Sequence, residues 1–258
     1  MKKESLEINK SNGHITWGPV ASIIVLFGVF IGLQFVSALL IVIYSSITHS
    51  NYSHSTQWIQ NSVFAQFIYV VLIEGATLFL LHIFLKIRKT TFNSLGLQRL
   101  PDLKDLFYTL VGFAIYFITY IFFLYVISQL IPSFNANQKQ DIGFNSASGV
   151  IDLAMVFLSL VLLPPIVEEI LFRGFLYTGL KTKVPKIPAA ILTSIIFASF
   201  HLLESNTGLL WVAGLDTFIL SMFLVYLREK TNALYASMGV HMLKNFVAFA
   251  SLFLFHLS

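Results

Sequence analysis

Residues 149–180 read GVIDLAMVFLSLVLLPPIVEEILFRGFLYTGL. The run is long enough to cross a bilayer, which takes about 20 mostly apolar residues. Yet its centre, PPIVEEILFRGFLY (164–177), holds two adjacent glutamates and an arginine. On insertion scales a charge near the bilayer centre costs about 2.5–3.5 kcal/mol, so such residues face a bundle interior and mark function by default. What surrounds the run decides the fold, and what meets its charges decides the chemistry.

The rest of the chain has the same character. Of 258 residues 57% are hydrophobic and 11% charged, with 26 Phe, where a soluble domain carries roughly a quarter of charged residues. Seven segments qualify as spans: about 19–45, 62–85, 106–131, 149–180, 187–203, 209–227 and 232–255. The expected fold is an all-α polytopic transmembrane bundle, with residues 1–18 as a cytoplasmic tail and 19–258 as one membrane domain. Lys2 and Lys3 before an apolar run resemble the start of a signal peptide, but the run from Val20 to Ile43 is too long and no small-residue cleavage site follows it. It reads as a retained first span.

Charge sets the orientation. Of the 16 basic residues, all but Lys139, Arg173 and Lys244 precede span 1 or lie between spans 2 and 3, after span 4, or after span 6. Positive residues collect on the cytoplasmic side, so the N-terminus is expected there and, with seven spans, the C-terminus outside. The net charge of +4 reflects this asymmetry and implies no nucleic-acid partner. With no cysteine, disulfides, thiolate metal sites and a cysteine nucleophile are excluded.

Several ionisable residues fall inside spans: Glu74, Glu168, Glu169, Arg173, Asp216 and Lys244. Glu168 lies 13 residues from Lys181, His201 lies 14 from Ile187 and His241 lies 10 from Thr231. At 1.5 Å per residue these are depths of about 20, 21 and 15 Å from the cytoplasmic ends, so three helices can bring a carboxylate and two imidazoles to one layer. Pro164 and Pro165 remove backbone donors and favour a kink just before the glutamates, and a broken helix at this depth is tolerated where it lines a polar cavity. Glu169 and Arg173, four residues apart, share a face and can pair, while Glu168 is turned about 100° away. His241 and Asn245 share a face in the same way.

The segments EEILFR, FASFH and HMLKN, in that order, resemble the CAAX protease and bacteriocin-processing family of intramembrane proteases, which includes the type II CAAX prenyl endopeptidases; SLGL at 94–97 is also similar. The resemblance covers about 94–248. It implies that Glu168 and His201 activate the hydrolytic water, that His241 and Asn245 stabilise the oxyanion, and that Glu169 and Arg173 support them. Lys244 departs from the pattern, where a neutral residue is expected. Members are often called metalloproteases, and a metal-free glutamate mechanism is also proposed for them. The resemblance implies a membrane-embedded or lipidated, CAAX-like substrate and a multi-pass protein of a bacterial plasma membrane.

The residue chemistry agrees. A carboxylate beside an imidazole can serve as general base, and imidazole and amide N–H groups can receive negative charge on a peptide oxygen. No H-E-x-x-H occurs. Direct glutamate catalysis without a cofactor is preferred, because no carboxylate is evident to orient each imidazole. If zinc is used, Glu168, His201 and His241 are the candidate ligands. Glu74 and Asp216 belong to no motif and are expected to pair structurally, with Lys244 or Arg173. Glu204, three residues after His201, is expected to be solvated at the external end. GVFIG (28–32) is a helix-packing signal.

Other classes compete. Midplane carboxylates and broken helices also suit a proton-coupled transporter, and the same fold could serve a noncatalytic scaffold or bacteriocin-immunity protein. A Glu–Arg pair can simply lock helices together, and a lone membrane histidine can serve packing. Three ordered motifs at one depth favour hydrolysis.

Overall fold

A computed structural model describes residues 15–49, 51–138, 140, 142–203 and 208–256. Lys2, Lys3, Lys10, His14, Lys139 and Glu204 lie outside the described residues, as does the tail expected at 1–18 up to residue 14. Among the described residues the regular structure is entirely helical.

Among the described residues, six helices are long and apolar enough to cross a membrane: α1 (Pro19–Thr48), α3 (Val63–Ile87), α4 (Leu103–Leu130), α5 (Gly149–Leu180), α7 (Trp211–Thr231) and α8 (Tyr235–Leu254). A seventh apolar helix, α6 (Lys186–Leu202), has 17 residues. The seven expected spans are therefore present as helices. The short helix α2 (Tyr52–Asn61) was not expected; its sequence is polar, and the Asn51 side chain caps it by accepting from the His54 amide.

Apolar side chains face outward along these helices, among them Phe35, Ile118 and Leu130, each at least 69% exposed. That is the reverse of a soluble protein and is what a hydrocarbon solvent requires. Inside, α5 is central. Its Phe172, Phe175 and Leu176 pack with Trp17, Leu26, Leu81 and Leu85 from the α1 and α3 side. A second cluster joins α4, α7 and α8 through Tyr116, Leu220, Leu224 and Val240.

The two ends of the bundle differ as the charge pattern requires. At the basic end, Thr16 donates to the Arg88 carbonyl, Gln98 to the Asn232 carbonyl, and Glu229 pairs with Lys181 and Lys186. Asp102 and Asp105 form a reciprocal cap on α4. Arg99 donates two hydrogen bonds to Asp105, which raises its guanidinium above the ordinary value. The SLGL turn sits at this end. Gly96 has φ +106°, and an added Cβ would lie 2.9 Å from the Arg228 guanidinium carbon, so glycine is required there. Its carbonyl accepts from the Leu234 amide at the start of α8. At the other end, Gln66 accepts from the Phe144 amide and Tyr44 stacks on Trp58.

Two expectations need correction. α5 does not break at Pro164–Pro165. It stays helical, with π-helical stretches at Leu158–Leu162 and Glu169–Leu176. The prolines occupy the first turn of the α-helical piece between them, where a missing N–H costs least. Gly28 and Gly32 support no close approach within this chain, since an added Cβ would meet nothing within 4 Å.

Candidate active site

The second π-helical stretch of α5 buries every residue from Glu169 to Leu176. A π turn widens the helix by one residue, a feature common at functional sites. Glu169 and Arg173 remain four apart on one face: Nη1 of Arg173 donates to Oε1 of Glu169 at 2.8 Å, and both side chains are fully buried. The same Oε1 lies 3.2 Å from Nδ1 of His241 on α8. Glu169 thus ties its own helix to α8 through two partners. Its other oxygen, like Nε and Nη2 of Arg173, makes no hydrogen bond among the described residues.

Glu168, half-buried, points differently, as its 100° offset requires. Its Oε2 lies 3.7 Å from Nε2 of His241, beyond a direct hydrogen bond. The two nitrogens of His241 therefore face two carboxylates, one in contact and one across a small gap.

Phe197 on α6 joins these groups. The Arg173 guanidinium sits over its ring at 4.4 Å, a favourable cation–π position. His241 meets the ring edge-on at 5.9 Å, and His201, one turn along α6, lies at 4.7 Å between centroids. Nδ1 of His201 lies 3.1 Å from the Phe197 carbonyl. Nothing in the sequence marks Phe197 beyond its place in FASFH; an aromatic one turn before a histidine is the available signal.

Glu168, Glu169, Arg173 and His241 therefore meet, and His201 joins them through Phe197. Asn245, one turn after His241, donates from Nδ2 to the Leu160 carbonyl of α5 at 2.8 Å. That carbonyl lies in the first π-helical stretch. The bond uses one of the two amide hydrogens and fixes α8 against α5.

Lys244 pairs with Asp216 on α7 at 3.3 Å, and Tyr116 on α4 donates to the other oxygen of Asp216. The intramembrane lysine is thus neutralised within a three-helix contact, and the pairing expected for Asp216 is present. Glu74 differs: it has no hydrogen bond or ion pair among the described residues, because Arg173 and Lys244 are engaged elsewhere. Replacing Asp216 by Leu is expected to destabilise the protein, and Lys244→Met on that background to recover part of the loss. A double-mutant cycle by thermal unfolding should give a coupling of about 0.5–3 kcal/mol; additivity would remove the pair from the account.

The conditional zinc set fails a geometric test. Among the described residues no group of three His, Asp or Glu side chains converges as metal ligands, so Glu168, His201 and His241 do not form such a centre. The reason first given against zinc also needs correction. Both imidazoles do have an orienting partner, Glu169 for His241 and the Phe197 carbonyl for His201. A cavity of about 610 Å³ between α4, α6 and α7 is mostly apolar; Ala198 and Ser199 of FASFH line it, but neither glutamate and neither motif histidine does.

Residues 150–247 match the family model described as type II CAAX prenyl endopeptidase Rce1-like. No curated protein and no solved structure matches the chain. The matched segment runs from the start of α5 to the last turns of α8 and contains all three motifs. Over this segment the chain is similar to the type II CAAX prenyl endopeptidases.

Proposed function

We propose that the protein is an intramembrane endopeptidase that hydrolyses a peptide bond in a membrane-embedded or lipidated, CAAX-like substrate, in the plasma membrane of a bacterium. The reading is carried by one observation: two adjacent glutamates are given separate surroundings. Glu169 is committed to Arg173 and His241, while Glu168 faces His241 across 3.7 Å.

In this reading Glu168 removes a proton from water as the water oxygen attacks the peptide carbonyl carbon, with His201 beside the reacting water. Glu169 contacts Nδ1 of His241 and fixes the ring, whose Nε2 faces the oxyanion as a donor, joined by the second Asn245 amide hydrogen. Glu168 then returns the proton to the amine nitrogen as the C–N bond breaks. Arg173 holds Glu169 in place. No step uses a metal.

Purified protein in liposomes, given a lipidated membrane peptide, is expected to yield two products by mass spectrometry and no substrate-driven proton flux. Flux without cleavage would favour a transporter. Neither cleavage nor flux across a panel of lipidated and unlipidated peptides would favour a noncatalytic role. Extensively chelated protein is expected to keep cleaving. Loss of activity on chelation and recovery with stoichiometric zinc would recast the same residues as ligands.

A further inference from the structure

Glu74 on α3 lies outside the segment that carries the family match, and the mechanism above does not use it. It lines a cavity of about 90 Å³ whose wall also includes Glu168. The remaining wall is Val29, Phe30 and Leu33 of α1, Ile73 and Thr77 of α3, and Val167, Leu171 and Phe172 of α5. Glu74 and Glu168 are its titratable residues, and Thr77, whose hydroxyl donates to the Ile73 carbonyl, is the other polar side chain.

Packing gives no reason for a carboxyl at this place. Glu74 touches apolar walls and pairs with neither intramembrane cation. A polar group withdrawn from water without a partner costs stability, so leucine would suit the same wall better as structure. The cavity offers a different reason. Its volume has room for about three waters, and a buried water is held by two to four polar partners. The two carboxyls supply such partners from opposite helices.

We propose that Glu74 is a second water-positioning residue, which accepts a hydrogen bond from the hydrolytic water while Glu168 accepts the other. This rests on Glu168 being the base. With both hydrogens held, the oxygen lone pair is left to attack the carbonyl carbon. The proton that departs goes to Glu168 and then to the leaving amine, and the O–H held by Glu74 stays on the new carboxyl product. Glu74 changes neither its bonds nor its charge in the step.

The test compares Glu74→Leu, Glu74→Gln and Glu168→Ala with the unmodified protein in liposomes, using one lipidated peptide. Glu74→Leu is expected to lower kcat about 100-fold, to leave KM within about twofold, and to melt no lower than the unmodified protein. Glu74→Gln, whose amide oxygen still accepts a hydrogen bond, is expected to recover at least about tenfold of that loss. Unchanged kcat in Glu74→Leu overturns the inference, as does a fall in melting temperature that tracks the lost activity. Equal loss in the Gln and Leu variants overturns it too, since acceptance of a hydrogen bond would not be what matters. Near-full turnover by Glu168→Ala would instead remove the base on which the inference stands.

Discussion

Replacing Glu168 by Ala is expected to lower peptide turnover by about 10³-fold or more, with folding close to unchanged, and His201→Ala is expected to do the same. General acid–base groups contribute roughly 10²–10⁴-fold, and groups that act on one water fail together when either is removed. Glu168 is half-buried, and the two intramembrane cations make their ion pairs to Glu169 and Asp216. His201 contributes one ring face to Phe197 and its Nδ1 to a backbone carbonyl on its own helix. Both truncations leave the buried Arg173–Glu169 pair in place, so expression and melting in detergent should stay near those of the unmodified protein. Near-full turnover by either purified variant would end the assignment of that residue.

The second large effect falls on stability. Glu169→Gln is expected to cost about 3–5 kcal/mol, the range for breaking one side of a buried pair, whereas Glu168→Gln should cost about 1 kcal/mol or less. Arg173 is fully buried and has Glu169 as its carboxylate partner. With a neutral amide there, the guanidinium keeps its charge and loses its compensation, leaving chiefly the Phe197 ring. His241 also loses that carboxylate, so the layer joining α5, α6 and α8 loosens together. Thermal unfolding of the two variants in one detergent decides the matter; equal melting temperatures would mean that the adjacent glutamates are not divided between support and chemistry.

The bundle was legible because the hydrocarbon core forces each crossing segment to be long and apolar. α2 was not, since a polar ten-residue helix has no such signature; its cap at Asn51 was the one cue. The π-helical stretches were hidden for another reason. They differ from an α-helix in backbone register, which side-chain composition does not record, and the prolines marked their place without revealing their form. In the site, Glu169 with Arg173 followed from helical spacing, and the approach of Glu168 to His241 from matched depth. The Leu160 carbonyl that receives Asn245 was invisible, because every residue has such a carbonyl. So was the isolation of Glu74: it depends on which face of α3 turns toward α5, and on Lys244 finding Asp216 first.

α6 deserves a last consequence. Its 17 residues reach about 25 Å at the usual rise, short of a hydrocarbon layer about 30 Å thick. Lipid beside too short a helix thins or draws polar material inward, at a fraction of a kcal/mol per ångström of mismatch. His201 is the penultimate residue of that helix. A bilayer thinned there would bring the aqueous boundary down toward the imidazole.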